Sequence, residues 1–185
     1  MTQTSSLDAE ALYRTLRDQV RNLLPAESGP ARDKWSIAGI HSGGAWIAER
    51  LAADLGLPNH GMVNVAFHRD DYAKKGLHSQ AQSTTLPFDV QDRNVLLIDD
   101  VLATGRTIRA AVNELFDYGR PARVALATLV DRGGRELPIA ADFVAQRIEL
   151  PRGTTLVLSR EGEGADTRFA FSTETSTEVF PGAGN

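Results

Sequence analysis

Residues 7–24 carry the hydrophobic pattern of an amphipathic helix. Apolar side chains recur every three or four positions and therefore share one face, while arginines occupy the opposite face. Ser6 is placed to cap the amino end, and Pro25 follows the carboxyl end. Asp18 lies among the arginines, which favours a solvated surface over a contact with nucleic acid. The apolar positions are Leu12, Leu16, Val20 and Leu23, and the arginines are Arg14, Arg17 and Arg21.

After a loop over residues 25–33, short apolar runs alternate with longer stretches of helical periodicity. This alternation is typical of an α/β fold in which right-handed crossovers connect a mostly parallel central sheet flanked by helices. Such sheets bind ligands beyond the carboxyl ends of their strands. The predicted strands are residues 35–40, 62–67, 94–98 and 123–130, with short ones at 143–144, 156–158 and 169–171. One predicted helix follows Gly44, and another covers residues 104–118.

A long polar stretch separates the second of these strands from Leu86. Residues 69–85 show no sustained periodicity, and loops of that length inside a compact domain are usually functional covers or disordered. We expect a flexible loop that covers a ligand site.

The composition is that of an ordinary globular protein. The chain has 185 residues, of which 42% are hydrophobic and 24% charged, so we expect a single domain over residues 1–185. No stretch approaches the roughly 20 apolar residues that a membrane span needs, and the amino end lacks the pattern of a signal peptide. The absence of cysteine excludes disulfides and favours the cytoplasm. A net charge of -4 gives no overall attraction to nucleic acid.

The clearest chemical signal follows the strand at residues 94–98. Two adjacent carboxylates, Asp99 and Asp100, precede a small, hydroxyl-rich turn that opens a helix. The carboxylates can accept hydrogen bonds from vicinal hydroxyls, and backbone N–H groups with the Thr104 and Thr107 hydroxyls can hold a phosphate. The pattern therefore favours a sugar phosphate. An acid pair that only complements the helix dipole is one alternative; a Walker B metal site is another, but the P-loop that it requires is absent.

A glycine-rich turn follows the strand at residues 35–40. Residues 39–44 include three glycines, which let backbone amides approach a phosphate closely. The turn matches neither a P-loop nor a dinucleotide fingerprint. By itself the signal is weak, and a plain tight turn is favoured slightly over a phosphate site.

Residues 98–107 resemble the phosphoribosyl-pyrophosphate (PRPP) motif of the type I phosphoribosyltransferases. Together with residues 86–90, 112–121 and 130–139, they resemble the PyrR family of bifunctional pyrimidine operon attenuators and uracil phosphoribosyltransferases. The resemblance covers about residues 37–146. It implies the type I phosphoribosyltransferase fold with a small hood region. The hood would be built from the C-terminal part of the chain, either alone or together with N-terminal residues.

The resemblance also implies a reaction: transfer of phosphoribose from PRPP to uracil, giving UMP and pyrophosphate, with Mg2+ carried in on PRPP rather than held directly by the protein. Asp99 and Asp100 would hold the ribose hydroxyls, and Arg69 on the flexible loop would contact pyrophosphate. The implied 5'-phosphate loop is Ala103, Thr104, Gly105, Arg106 and Thr107, the pyrophosphate loop is His41, Ser42, Gly43 and Gly44, and the base-binding segment is Val130, Asp131, Arg132 and Gly133.

The base-binding segment has a structural alternative. Arg132 and Arg135 can simply pair with Asp131 or Glu136, and the two glycines between them can simply make a turn. The chain also departs from the family pattern, which usually has Lys and Arg at the positions of His41 and Gly43, Tyr at Ala103 and His at Gly134. We expect weaker pyrophosphate binding or a stronger dependence on Mg2+ as a result.

Two functions follow as hypotheses. The first is a uracil phosphoribosyltransferase that also responds to UMP as a regulator of pyrimidine genes. The alternative is an attenuator that binds the operon leader RNA and has weak or vestigial catalysis. Family members that attenuate transcription bind RNA on a basic dimer face, so a homodimer or higher homo-oligomer is implied, with no membrane partner. A transferase for orotate or a purine is disfavoured by residues 131–138.

Overall fold

The computed structural model describes residues 7–25, 29–65, 83–151, 153–162 and 167–175. The flexible loop predicted at residues 69–85 lies outside this part of the chain except for its last three positions. Within the described ranges, none of the helices combines the length and the apolar character that crossing a bilayer would require.

The described residues form a five-stranded sheet in which every neighbouring pair is parallel. The strand order is β2-β1-β3-β4-β5, so β3 lies at the centre. This arrangement confirms the predicted α/β class. The strands are β1 (Trp35–Ile40), β2 (Gly61–Val63), β3 (Asn94–Leu102), β4 (Arg123–Asp131) and β5 (Phe143–Arg147).

Helices cover both faces of the sheet, and an antiparallel hairpin follows it in the chain. The helices are α1 (Ala9–Leu23), α2 (Pro30–Asp33), α3 (Gly43–Asp54) and α4 (Arg106–Asp117), and the hairpin consists of β6 (Thr154–Glu161) and β7 (Arg168–Thr175).

The core is divided by the sheet into two apolar layers. Because successive side chains of a strand point to opposite faces, β3 contributes to both: Leu96 and Ile98 pack with α1, α3 and the hairpin, whereas Val95 and Leu97 pack with α4. Burial on both faces explains why β3 and its neighbours are nearly continuous apolar runs rather than alternating ones.

A charged cluster joins α1, α3 and β7. The Arg50 guanidinium donates to both carboxylate oxygens of Glu10, at 2.7 and 3.0 Å, and the backbone N–H of Phe169 donates to the same carboxylate at 2.8 Å. Arg50 also stacks 4.1 Å from the ring centroid of Tyr13 and 5.2 Å from that of Phe169. The fully buried Tyr13 donates its hydroxyl proton to Asp54 at 2.7 Å. These contacts therefore hold α1 against β7.

The same contacts shift two ionisation equilibria. Burial raises the pKa of Glu10, but the hydrogen bonds from Arg50 and Phe169 and the positive charge of Arg50 outweigh it, so the net pKa lies below the usual value. Burial, with the hydrogen bond to Asp54, raises the pKa of Tyr13 far above its usual value. Glu10 is therefore held as an anion and Tyr13 as a neutral phenol.

Several predicted boundaries were wrong. Asp8, not Ser6, caps α1, because its carboxylate accepts from the Ala11 N–H at 3.0 Å. The loop at residues 25–33 contains the short helix α2. The helix predicted from residue 104 begins at Arg106, after Gly105 adopts a positive φ of 92° at the N-cap.

Candidate active site

Three neighbouring parallel strands bring the predicted site segments to one edge of the sheet. Residues 41–44 follow β1, residues 99–107 include the end of β3 and the turn after it, and residues 130–133 span the end of β4. Since the carboxyl ends of adjacent parallel strands lie at the same edge, these segments face a shared space. The predicted Arg69 lies outside the described residues.

The acid pair lies within β3 rather than after it. The strand was predicted to end at Ile98, but pairing with β4 continues through Asp99 to Leu102. The Asp100 N–H donates to Oδ1 of Asp99 at 3.0 Å, and Asp99 is only 4% exposed while Asp100 is partly exposed. Sheet pairing thus holds the backbone at Asp99 and at Val101, on either side of Asp100, and Asp100 is the more accessible of the two acids to a ligand.

A hydroxyl that the sequence analysis missed supports this backbone from the next strand. Thr128 is fully buried on β4, and its Oγ1 lies 3.1 Å from the carbonyl oxygens of both Asp100 and Val130, to which it can donate. A threonine inside an apolar strand gives no sequence signal for such a contact, because threonine is common in strands.

Two glycines at the start of α3 lie directly against β3. A Cβ atom on Gly43 would stand 2.5 Å from Oδ2 and 2.6 Å from Cγ of Asp100, and a Cβ atom on Gly44 would overlap the carbonyl oxygen of Ile98. Close packing therefore favours glycine at both positions, independently of any phosphate. The same packing places the loop after β1 in contact with the acid pair.

The backbone of this loop is held from both sides. The His41 N–H donates to the Val63 carbonyl at 2.9 Å, and the Trp46 N–H donates to the Ser42 carbonyl at 3.2 Å. The peptide bond between His41 and Ser42 is cis. Helix α3 begins at Gly43, so the positive end of its dipole and its first N–H groups lie beside Asp100.

The turn after β3 is joined to the segment after β4. The carbonyl of Thr104 accepts from the N–H groups of Glu136 and Leu137 at 3.0 and 3.2 Å, and its hydroxyl accepts from the Arg106 N–H at 3.3 Å. The Arg106 side chain pairs with Glu136 at 2.6 Å. The turn is therefore shaped by its partner segment as well as by its own sequence.

Arg135 is the main side chain in that junction. Its guanidinium donates to the Ala103 carbonyl at 2.6 Å, to the Ile139 carbonyl at 2.8 Å and to Oδ2 of Asp131 at 2.7 Å. The structural pairing with Asp131, considered as an alternative from the sequence, is thus present. The contacts with backbone carbonyls were not predicted.

The other predicted features of this segment have structural roles too. Arg132 donates to the Thr154 carbonyl on β6 at 2.7 Å, and its N–H donates to the Leu102 carbonyl at 3.0 Å. Gly133 and Gly134 adopt positive φ values of 68° and 73°, which glycine tolerates without strain. The two glycines therefore make a turn at the edge of the site.

Asp131 is held in its charged form at the end of β4. Burial raises the pKa of this carboxyl, but the hydrogen bonds from the Gly133 N–H and Arg135, with the charges of Arg135 and Arg147, outweigh it and leave the pKa below its usual range. The edge of the site thus carries the anionic Asp131 in addition to the acid pair. Among the described residues, no cluster of three or more His, Cys, Asp or Glu side chains could hold a metal ion.

Comparison with known protein families gives a consistent result. Residues 14–155 match the family described as "Phosphoribosyl transferase domain". The chain is 64% identical over 174 residues to the "Bifunctional protein PyrR" of Ralstonia nicotianae, covering 94% of this chain and 98% of that one. It is 49% identical over 151 residues to the protein of the same name from Nitrosococcus oceani, covering 80% and 84%.

Solved structures share the fold at low sequence identity. The purine phosphoribosyltransferase from Pyrococcus horikoshii aligns with a TM-score of 0.55 and 23% identity, over 77% of this chain and 83% of that one. The hypoxanthine phosphoribosyltransferase of Trypanosoma cruzi aligns with a TM-score of 0.53 and 17% identity, over 78% and 81%. At these identities the likeness concerns the fold and not the base.

Proposed function

The chain belongs to the phosphoribosyltransferase family and, within it, to the PyrR proteins, and from that premise we propose that it transfers phosphoribose from PRPP to uracil. The products are UMP and pyrophosphate. The bond between C1 of the ribose and the pyrophosphate oxygen breaks, the bond to N1 of uracil forms, and the N1 proton is released. The observation that carries the proposal is the contact of the loop after β1 with Asp100, since this reaction needs an anion site and a ribose site side by side.

In this proposal the acid pair holds the ribose. Asp100 accepts hydrogen bonds from the ribose hydroxyls, and Asp99 fixes the Asp100 backbone through the 3.0 Å hydrogen bond. As the bond to pyrophosphate breaks, positive charge grows on the ribose ring, and nearby carboxylates lower its energy. The Asp100 backbone is held by its hydrogen bonds to Asp99 and Thr128, so little reorganisation is needed at that moment.

Two backbone sites bind the phosphate groups. Residues 103–107 take the 5'-phosphate at the start of α4, and residues 41–44 take pyrophosphate at the start of α3. The loop at residues 41–44 has few charged side chains, and packing gives one reason. A side chain at residue 43 would overlap the carboxylate of Asp100 unless Asp100 moved. Arg69, on the segment outside the described residues, is the proposed cationic partner of pyrophosphate.

Mg2+ fits this arrangement as a companion of PRPP. It takes most of its ligands from phosphate oxygens and waters, so PRPP would carry it in, and the negative charge of the partly exposed Asp100 favours a cation at this edge of the sheet. When bound, the ion neutralises charge on the leaving pyrophosphate. Asp99 and Asp100 would supply negative charge without forming a complete protein site.

The base is recognised at the end of β4. Backbone groups of residues 130–133 are proposed to pair with the ring carbonyls and N3 of uracil, while the side chain of Arg132 is engaged with β6. Asp131 is engaged with Gly133 and Arg135, so its carboxylate shapes the segment instead of contacting the base.

A base screen tests this function. The protein is incubated with PRPP, Mg2+ and, separately, uracil, orotate, hypoxanthine and guanine, and nucleotide and pyrophosphate are quantified by chromatography and a coupled assay. We expect UMP and an equal amount of pyrophosphate with uracil alone. Product with a purine, or no product with any base at saturating PRPP, contradicts the proposal; a reaction without PRPP is the blank.

A second function is favoured by family membership, since the relatives are named bifunctional, and the arginines of α1 are the candidate RNA contacts. We propose that the chain binds pyrimidine operon leader RNA and that UMP strengthens this binding. Arg14 and Arg21 are exposed, and Asp18 contacts both Arg17 and Arg21, at 3.0 and 3.4 Å. Contacts between these arginines and RNA phosphates would make RNA affinity salt-dependent.

Filter binding with leader RNA, with and without UMP, separates the two functions. RNA binding that UMP strengthens, in a protein that forms no UMP, supports the regulator with vestigial catalysis. Binding that does not change with salt contradicts an RNA site on α1.

We further propose a homodimer or higher homo-oligomer in the cytoplasm, where PRPP and UMP occur. Light scattering coupled to gel filtration gives the mass of the assembly.

A further inference from the structure

The Arg135 guanidinium connects three separate stretches of the chain. It reaches the carbonyl that precedes Thr104, the carbonyl of Ile139 and the carboxylate at the end of β4, all between 2.6 and 2.8 Å. Its side chain is 24% exposed and that of Asp131 is 12% exposed. Hydrogen bonds from a charged donor at such distances are among the strong ones in proteins.

These contacts set the direction of the backbone in the turn after β3. In a planar trans peptide the N–H points opposite to the C=O. Arg135 draws the Ala103 carbonyl toward the segment after β4, so the N–H of Thr104 points away from that segment. The N–H groups of Glu136 and Leu137 draw the Thr104 carbonyl the same way, so the N–H of Gly105 points away as well. Successive N–H groups aimed to one side form an anion-binding concavity.

We propose that Arg135 is a positioning residue for the 5'-phosphate, acting through the Ala103 carbonyl without touching the ligand. This inference rests on the proposed transferase function. It predicts that Arg135 controls affinity for ligands that carry a 5'-phosphate and has little effect on ligands that lack one. A role only in stability would affect both kinds of ligand or neither.

Two variants and a control resolve the role of the side chain. Arg135→Ala removes all three hydrogen bonds, and Arg135→Lys keeps the charge but cannot span three acceptors in the geometry of the guanidinium. Arg147→Ala is the matched control, because Arg147 lies 3.9 Å from Asp131 and is 75% exposed, and so tests loss of positive charge near Asp131 alone.

The experiment measures dissociation constants for ribose 5-phosphate, UMP and uridine by calorimetry, and KM for PRPP and for uracil. For Arg135→Ala we expect about ten-fold weaker binding of ribose 5-phosphate and UMP, a similar rise in KM for PRPP, and uridine binding within about two-fold. Arg135→Lys should lie between the wild type and the alanine variant, and Arg147→Ala should match the wild type.

Equal weakening of uridine and ribose 5-phosphate, or a lower Tm with unchanged ribose 5-phosphate binding in either variant, overturns the positioning role. If Arg135→Ala does not fold, Arg135→Lys decides. If the wild type binds ribose 5-phosphate but forms no UMP, the transferase proposal fails while the binding series still tests Arg135.

Discussion

Gly43 lies against the carboxylate of Asp100 so closely that a Cβ atom on residue 43 would stand 2.5 Å from Oδ2. The neighbouring Gly44 is equally close to β3, but the atom in its way is the carbonyl oxygen of Ile98. The obstacle at residue 43 is the Asp100 side chain, whose carboxylate can rotate although its Cβ atom, at 2.9 Å, cannot, whereas the obstacle at residue 44 is backbone held by the sheet. The two glycines therefore differ in what a substitution would disturb.

Gly43→Ala should leave the fold intact and damage the site. We expect a loss of about 1 kcal/mol in the free energy of unfolding, with a rise in KM for PRPP as Asp100 is displaced. Gly44→Ala should cost about 1–3 kcal/mol through overpacking. Urea denaturation and UMP formation measure both effects, and equal destabilisation of the two variants would contradict this difference.

Asp100→Asn should reduce turnover without unfolding the protein. Loss of the negative charge beside the ribose is expected to lower kcat by about 100-fold, the scale seen when one preorganised electrostatic group is removed. Because Asp100 is partly exposed, the Tm should stay close to that of the wild type. Asp117→Asn, an exposed carboxylate at the far end of α4, is the control; a wild-type kcat in Asp100→Asn would refute the role of the acid pair.

Stability should fall in acid through Glu10 and Asp131. Both carboxyls have a pKa in the folded protein below the usual values of 4.5 and 3.8. The stabilisation from each is therefore complete above the pKa of the unfolded chain and is lost as the pH falls through the lower, folded pKa. Urea unfolding at a series of pH values below about 5 should show this decline, and it should be shallower in Glu10→Gln.

At neutral pH, Glu10→Gln is expected to cost about 1.5–3 kcal/mol, since hydrogen bonds to charged groups contribute on that scale. Glu49→Gln is the matched comparison, because Glu49 pairs with Arg160 at 3.0 Å with both side chains more than a third exposed, and should cost less than about 1 kcal/mol. Similar losses for the two variants would show that the cluster of Glu10 and Arg50 adds no more than a surface pair.

The RNA proposal predicts opposite effects from neighbouring charges on α1. Replacing Arg14 and Arg21 together by Ala should weaken leader RNA binding and reduce the slope of log affinity against log salt by about 2, one for each phosphate contact. Asp18→Asn should strengthen binding, because it removes the acid that contacts Arg17 and Arg21. UMP formation should be unchanged in both. Equal RNA affinity in all three proteins would place any RNA site elsewhere.

The alternation of strands and helices and the common edge of the site were predictable because apolar periodicity reports burial directly. The end of β3 was not predictable in the same way. Asp99 and Asp100 look like the end of a strand, yet pairing with Thr128 and Val130 carries the strand past them. A polar side chain indicates contact with solvent, whereas the length of β3 depends on backbone hydrogen bonds to the neighbouring strand β4.

The role of Arg135 escaped the sequence for a related reason. The spacing of four residues from Asp131 indicated an ion pair, but two of its three acceptors are carbonyl groups, which every residue carries. Side-chain chemistry cannot identify such partners before the fold is known. The same holds for Gly43. The sequence shows only that the charged residue usual in the family is absent, whereas the structure shows that Asp100 occupies the space where a side chain would lie.

The contact between Glu10 and Phe169 also bears on how the protein is made. The two residues are separated by 159 positions in the chain, so α1 cannot complete this contact until β7 has been synthesised. Until then Glu10 and Arg50 lack the Phe169 N–H and ring. A nascent chain that stops before this strand would leave open only the part of α1 that packs against β7, where Tyr13 would lack the Phe169 ring at 5.5 Å.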